Sequence, residues 1–190
     1  MKRLLISLLT VVTLALALVG CGREFVINTA QVSAGVALLD IQFDAVTQTV
    51  GRLDLAPDER VQMTVLHQQL STLRTTAHDL VTSSGGLAMA LVRADDVRRL
   101  ADAGKASYIT ARQMICPQAA GDMLTPGTCP RLIQLSPAEQ ELLIAFDLQA
   151  RLTNKALQEL LNAPSGADIT QTVSDLLTVG AAAARIGALL

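Results

Sequence analysis

The most constraining feature of this sequence is an apolar residue at every third or fourth position over two long stretches. The first series continues unbroken through Val32, Val36, Leu39, Phe43, Val46, Val50 and Leu53. The second has the same alternation at Met63, Leu66, Leu70, Leu73, Ala77 and Leu80. Residues at this spacing share one side of an α-helix and form the seam of packed helices. The pattern predicts one helix from Asn28 to about Leu53 and a second from near Pro57 to the TSSGG segment.

A third helix is predicted from about Leu87 to Ile115. One side of it carries Val97, Ala101, Gly104, Tyr108, Ala111 and Ile115. It is expected to end at CPQ, because proline disfavours helical backbone in the residue before it. The segment RADDVRRLAD places Asp95 four residues before Arg99, and Arg98 four before Asp102. This spacing predicts ion pairs on an exposed helix face.

The fourth helix has the clearest local start signal. In LSPAEQ, Ser136 is an N-cap, Pro137 takes the first helical position and Glu139 completes a capping box. The helix is expected to reach about Asn162, and its broad apolar arc predicts several neighbouring helices. That arc comprises Leu142, Phe146, Leu152, Ala156 and Leu160. Asp168 is then predicted to cap a fifth helix, whose many Ala and Gly residues permit close helix approach.

Five helices of similar length, joined by mostly short connections, predict an all-α fold, specifically an antiparallel helical bundle. No convincing alternation of apolar and polar residues indicates a β-strand. Cys116 and Cys129 flank a loop rich in Pro and Gly between the third and fourth helices. A disulfide is expected between them, since a redox motif would more often be Cys-x-x-Cys and a zinc site would need more ligands. Such a closed loop is worth roughly 3 kcal/mol.

The first twenty residues have a different character from the bundle. Lys2 and Arg3 precede a stretch with no charge, from Leu4 to Val19. This arrangement is typical of a secretory signal peptide, and the stretch is shorter than the roughly 20 residues of a membrane span. The tetrapeptide LVGC, which ends at Cys21, resembles the lipobox of bacterial lipoproteins.

This resemblance implies that residues 1–20 are removed and that Cys21 becomes a lipidated N-terminus. Residues 21–27 would then form a short tether to a bundle domain of residues 28–190. The implied localisation is the bacterial cell envelope, and Gly22 favours the periplasmic face of the outer membrane over the inner membrane. The alternative is an ordinary leader cut near Gly20, which would leave Cys21 free. Because about six residues span at most roughly 20 Å, the bundle is expected to lie close to the membrane.

Other chemistry finds little support in the sequence. His67 and His78 lie about 16 Å apart along one helix, so they cannot share a metal ion, and neither a metal nor another cofactor is expected. No nucleophile elbow, Ser-x-x-Lys motif or phosphate-binding glycine loop occurs. Without Lys2 and Arg3 the chain has 15 − 2 = 13 basic against 17 acidic residues. This acidic balance argues against nucleic acid as a partner.

The expected function is therefore that of a non-catalytic, lipid-anchored periplasmic protein, an envelope structural or protein-interaction module near the membrane. Its expected partners are the membrane, through the lipid on Cys21, and an unidentified envelope protein. The first alternative is a carrier that binds an apolar ligand or lipid between its helices. The Ala- and Gly-rich fifth helix and the broad apolar arc of the fourth motivate it, and a core without a cavity would exclude it. An enzyme with an unrecognised site is the third hypothesis.

Overall fold

The computed structural model describes residues 22–51, 56–118, 122–160 and 162–189. Over these residues the chain forms a bundle of five α-helices with one short two-stranded ribbon. The elements in chain order are β1 (Glu24–Asn28), α1 (Thr29–Val50), α2 (Pro57–Thr82), β2 (Met89–Arg93), α3 (Ala94–Ile115), a 3-10 helix (Pro130–Gln134), α4 (Pro137–Leu160) and α5 (Thr170–Leu189). The predicted all-α bundle is confirmed. No helix of the described segments combines the length and apolarity needed to cross a membrane.

The most extensive helix–helix contact is between α1 and α5, and α2 packs against both of them. Both predicted seams face the core: the α2 seam is buried in full, and the α1 seam is buried from Val32 to Val46. Leu53 lies outside the described residues. The small residues of α5 allow the close approach expected of them. A Cβ atom at Gly187 would lie 2.6 Å from Leu66 Cδ2, and one at Gly180 would overlap Leu73.

The β1–β2 ribbon is the part of the fold that the sequence did not predict. Its strands are antiparallel, with Glu24 opposite Arg93 and Asn28 opposite Met89. Residues 24–27, assigned from the sequence to the tether, therefore lie in β1. The prediction that the third helix starts at Leu87 is also wrong, because β2 intervenes and α3 begins at Ala94. The inner side chains of the ribbon belong to the core, namely Phe25, Ile27, Ala90 and Val92.

The strand β1 is hydrogen-bonded along both of its edges. One edge pairs with β2, and the other meets residues 166–169, which precede α5. There the Val26 N–H donates to the Ala167 carbonyl and the Ile169 N–H donates to the Val26 carbonyl, both at 2.9 Å. Gly166, with a φ of +85°, turns the chain into this contact and donates to the Glu24 carbonyl at 2.7 Å. The N-terminal strand is thus fixed to the body of the protein.

The predicted starts of α4 and α5 agree with the structure. The Ser136 N–H donates to Glu139 Oε2 at 2.8 Å, and the Glu139 N–H donates to Ser136 Oγ at 3.4 Å, which completes the capping box. Asp168 Oδ1 accepts from the Thr170 N–H at 2.9 Å and from its hydroxyl at 2.6 Å, at the first residue of α5.

The disulfide between Cys116 and Cys129 is present, with 5.4 Å between the two Cα atoms. It closes the loop between α3 and α4 as predicted, and both cysteines are buried. Residues 119–121 of this loop lie outside the described residues. Because Cys116 directly follows α3, the bond holds the loop against the C-terminal end of that helix.

Candidate functional site

A buried carboxylate lies between α3 and α4. Asp147 occupies the apolar side of α4, and its side chain is only 1% exposed. Its Oδ1 accepts from the Tyr108 hydroxyl at 2.6 Å and from Arg112 Nε at 3.0 Å. Its Oδ2 accepts from Arg151 Nε at 2.9 Å and from the Leu124 N–H at 3.1 Å. We call Tyr108, Arg112, Asp147 and Arg151 the Asp147 cluster.

Helix geometry brings the Asp147 cluster together. Tyr108 and Arg112 are four residues apart on α3, and Asp147 and Arg151 are four apart on α4, so each pair shares one helix face. Both arginines also donate to the backbone carbonyl of Asp122. The cluster therefore ties α3 and α4 to the middle of the disulfide loop.

The cluster sets the protonation states of its members. Burial by itself raises the pKa of Asp147, but the hydrogen bonds from Tyr108, Arg151 and the Leu124 N–H outweigh it, so the pKa lies below the ordinary 3.8. Burial, together with the hydrogen bond to Asp147, raises the pKa of Tyr108 from 10.0 to about 12. At neutral pH the carboxylate is ionised and the phenol keeps its proton.

A half-open pocket of about 320 Å³ lies beside the cluster, between α3, α4 and α5. We call it the α3–α4 pocket. Its volume falls at the small end of the range for ligand pockets, about 300–1,000 Å³. Helix α3 and the residues after it contribute Gly104, Lys105, Tyr108, Ile109, Arg112, Gln113, Cys116 and Pro117. Helix α4 contributes Ala150, Arg151, Thr153, Asn154 and Leu157, and α5 contributes Leu176 and Val179.

Two polar groups of the pocket lack partners. Thr153 is 3% exposed, and its Oγ1 has no hydrogen-bond partner within the described segments. A buried hydroxyl left unpaired costs about 1–3 kcal/mol, and a helical threonine ordinarily bonds to the carbonyl four residues before it. Lys105 is exposed at the pocket wall and forms no ion pair with any described residue. Lys105 is therefore available to a ligand, whereas Thr153 Oγ1 has less than 1 Å² of accessible surface and is covered by the pocket wall.

The charge of the pocket differs from that of the whole chain. Lys105, Arg112 and Arg151 line it, and none of the described lining residues carries a carboxylate. Asp147 lies behind this wall and pairs with the two arginines. The chain as a whole has a formal net charge of −2. The pocket is therefore a positively charged site in an acidic protein.

The candidate site residues named from the sequence do not come together in the structure. Cys21 lies outside the described residues, so its lipidation stays a prediction. Of the disulfide pair, Cys116 also lines the α3–α4 pocket. His67 and His78 lie elsewhere, on α2 facing α1, where Nε2 of His67 is 3.1 Å from Thr47 Oγ1. Across the residues described, no three His, Cys, Asp or Glu side chains converge on a possible metal position.

The charged segment at the start of α3 is exposed, but its pairing differs from the prediction. Arg98 pairs with Asp95 at 3.4 Å, and Arg99 pairs with Asp96, each at a spacing of three residues rather than four. Residues three apart are also neighbours on a helix surface, so either spacing brings opposite charges together. This segment lies at the other end of α3 from the disulfide.

The fold defines an all-α bundle with a β-ribbon at its N-terminus and a small pocket between helices. Comparisons with protein-family models, with curated proteins and with solved structures found no match. Sequence reasoning missed the Asp147 cluster and Thr153. One signal for the cluster was present, since Arg112 and Asp147 carry opposite charges on the apolar sides of neighbouring helices.

Proposed function

We propose that the mature protein is a non-catalytic, lipid-anchored protein of the bacterial envelope that binds a small anionic amphiphile in the α3–α4 pocket. The observation that carries this proposal is the pocket itself, with the cationic side chain of Lys105 at its wall. A carrier needs a cavity of about this size between its helices, and a bundle that is packed without cavities does not have one. This function is the carrier alternative weighed from the sequence.

The lining indicates the chemical class of the ligand. Ile109, Leu157 and Leu176 provide an apolar wall, whereas Lys105 offers a cation. A ligand with an apolar body and one anionic head would satisfy both. Charge-assisted hydrogen bonds to such a head are each worth about 1.5–3 kcal/mol.

The protonation states support binding without catalysis. A general acid or base works best when its pKa lies near the ambient pH. The pKa of Asp147 is held below 3.8, and that of Tyr108 is raised to about 12. Neither group therefore exchanges a proton readily at neutral pH, and the cluster is suited to holding α3 and α4 in place.

Binding can be tested with two amphiphiles that differ in the sign of the head group. We expect isothermal titration calorimetry of the secreted Cys21→Ser protein to show binding of laurate and none of dodecyltrimethylammonium. Lys105→Gln should weaken laurate binding by about tenfold or more, because it removes a charge-assisted contact. Thr153→Val should stabilise the ligand-free protein, because it removes a buried hydroxyl without a hydrogen-bond partner.

The control for the charge is Lys155→Gln. Lys155 is exposed on α4, its Nζ lies 4.0 Å from Glu159, and it is not among the pocket-lining residues. Its removal should leave the laurate affinity unchanged. Equal binding of the two amphiphiles, or no binding of laurate, would overturn the assignment of the ligand.

The proposal of a lipid anchor is based on the LVGC tetrapeptide and the uncharged stretch before it. Two or more acyl chains hold a protein stably at a membrane where one does not. We expect the intact mass of the protein from a bacterial host to carry a lipid increment, and the protein to fractionate with membranes, preferentially the outer membrane. Cys21→Ser should lose both properties. A soluble wild-type chain of unmodified mass would contradict the anchor and leave the binding test unaffected.

A second candidate is the interaction module that binds another envelope protein. The supporting observation is on α4, where Leu148 and Leu152 lie one turn apart and are each about half exposed. The sequence placed Leu152 in an arc covered by neighbouring helices, and the described neighbours leave it uncovered. Photo-crosslinking from Leu152 in intact cells, with exposed Glu159 as the control position, should give a protein adduct at Leu152 alone. Absence of that adduct would remove this candidate.

A further inference from the structure

The outer face of the β1–β2 ribbon is unusually apolar. Met89 and Leu91 point away from the core and are 47% and 63% exposed, and Leu87, just before the strand, is 62% exposed. An outer strand face in contact with water ordinarily carries polar residues. Opposite Leu91 lies the half-buried Val26, which extends the apolar area onto β1, whereas Glu24 and Arg93 make one end of the face charged and Asn28 is polar at the other.

This face lies next to the proposed acylation site. Only Gly22 and Arg23 lie between Cys21 and Glu24, the first residue of β1, and the three Cα-to-Cα steps span at most about 10 Å. Because β1 is bonded on both edges, the ribbon cannot move away from the anchor without breaking backbone hydrogen bonds. An acylated Cys21 would therefore keep the Glu24 end of the ribbon within about 10 Å of the lipid headgroups. Leu91 lies two positions along the strand from that end, and Met89 lies four.

We infer that the outer face of the ribbon docks on the lipid bilayer beside the acylated Cys21, with Leu87, Met89 and Leu91 as its contact residues. This inference rests on the proposed lipid anchor. We choose the bilayer as the partner because the chain between Cys21 and the ribbon is short. An acylated Cys21 would bring the bilayer next to this face in every copy of the protein. Docking gives the bundle a fixed orientation instead of free rotation about a tether.

The charges around the ribbon indicate hydrophobic rather than electrostatic docking. Arg93 and Arg98 both lie near Asp95, at 3.9 and 3.4 Å, and Arg99 pairs with Asp96. With Arg23 and Glu24 included, four cations lie near three carboxylates, a net charge of 4 − 3 = +1, which adds little attraction for anionic lipid. Contact with the bilayer should therefore be as strong at high salt as at low salt.

The test uses the full-length protein in the membrane of a bacterial host, with p-benzoylphenylalanine in place of Leu91. The matched control position is Ile133, which is 68% exposed and lies in the 3-10 helix after the disulfide loop. The 22 residues of α3 separate the two positions by about 33 Å. After irradiation, we expect mass spectrometry to find phospholipid adducts at Leu91, at low and high salt, and none at Ile133. Circular dichroism checks that both labelled proteins are folded.

The outcomes separate this inference from the proposed anchor. If the intact mass shows lipid on Cys21 but Leu91 gives no phospholipid adduct, the anchor stands and the docking face is wrong. A protein adduct at Leu91 also overturns the inference, because another protein then covers the face. An unmodified Cys21 overturns both proposals together. Equal lipid adducts at Leu91 and Ile133 would show a protein without fixed orientation.

Discussion

The two sides of this bundle are built differently. Where α1, α2 and α5 meet, the interior is apolar, and glycines of α5 bring helices so close that a methyl group would collide with Leu66 or Leu73. Between α3 and α4 the interior contains a carboxylate, two arginines, a phenol and an open pocket. The first side is held by dense packing. The second is held by a hydrogen-bonded cluster and a disulfide, which leave room between the helices.

This difference teaches where a small bundle can bind a ligand. Dense apolar packing resists any change of volume, whereas a polar cluster spaces two helices apart and still fixes their distance. The α3–α4 side can therefore keep a cavity without becoming loose. The following changes test whether the two sides depend on these different interactions.

The largest effect is expected from Asp147→Asn. Removal of the charge leaves Arg112, which is nearly buried, without its carboxylate, and breaking a buried pair in this way costs about 3–5 kcal/mol. Urea unfolding should show a loss of this size. Because the pKa of Asp147 is depressed, its stabilisation is complete above pH 3.8 and is lost as the pH falls through the folded-state pKa.

The matched control on the dense side is Asp40→Asn. Asp40 also has two cationic partners, Arg74 Nε at 2.5 Å and His78 Nε2 at 3.1 Å, but all three side chains are partly exposed to solvent. Pairs of this kind contribute about 0–1 kcal/mol. Equal losses for the two aspartates would break the comparison between the sides.

The next effect is the removal of the disulfide by Cys116→Ala together with Cys129→Ala. A closed loop of this size is worth roughly 3 kcal/mol, which for a domain of this length lowers the Tm by about 6–12 °C. Laurate affinity should fall as well, because Cys116 lines the pocket. An unchanged Tm in differential scanning calorimetry would show that the Asp147 cluster alone holds this side together.

A smaller and more discriminating effect comes from one substitution made on each side. In Gly180→Ala the new methyl group meets Leu73, which is fully buried, and overpacking should outweigh the gain in helix propensity by about 1–2 kcal/mol. In Gly104→Ala the methyl group meets Leu176, which borders the pocket and can move into it.

Gly104→Ala should therefore leave the free energy of unfolding within about 1 kcal/mol of wild type. The displaced Leu176 should at the same time weaken laurate binding. Chemical denaturation of the two variants checks the first expectation and calorimetric titration the second. If both variants lower the free energy of unfolding equally, Leu176 does not move into the pocket. The proposed difference between the two sides of the bundle is then wrong.

The smallest effect on stability is expected from the ionisation of Tyr108, which can be measured directly. Tyr108 is the only tyrosine of the chain, and the chain has no tryptophan, so ultraviolet absorbance follows this phenol alone. The titration midpoint should be about 12 in the folded protein and near 10.0 in urea. Because the folded pKa is the higher one, this contribution is present below pH 10 and is lost as the pH rises through 12. A folded midpoint near 10 would contradict the buried cluster.

The helices were predictable because their signals are local. The seams of α1 and α2, the capping box at Ser136 and the disulfide each follow from spacing or from residue chemistry within a short segment. The ribbon was not predictable in the same way. Its strands have five residues each, and Val26 and Leu91 make the outer face apolar too. That removes the alternation by which a half-buried strand is recognised.

The pocket was harder to predict than the helices that surround it. Arg112 and Asp147 could have been noticed as opposite charges on apolar helix faces. The unpaired state of Thr153 could not, because it depends on how far apart α3 and α4 lie. A cavity is a property of the distance between helices, and the pattern along each helix does not contain that distance.

The bonding of β1 along both edges also has a consequence for how the protein is made. The partners on its second edge come late in the chain: 141 residues separate Glu24 from Ser165, whose hydroxyl accepts from the Glu24 N–H at 3.3 Å. Contacts of such long sequence separation form slowly, and a chain made from its N-terminus has to be nearly complete before they can form at all. In the proposed lipoprotein, the segment next to Cys21 would therefore still be accessible to processing enzymes during synthesis and export. We expect acylation to come before this final closure, so that the protein completes its fold only after it has reached the membrane.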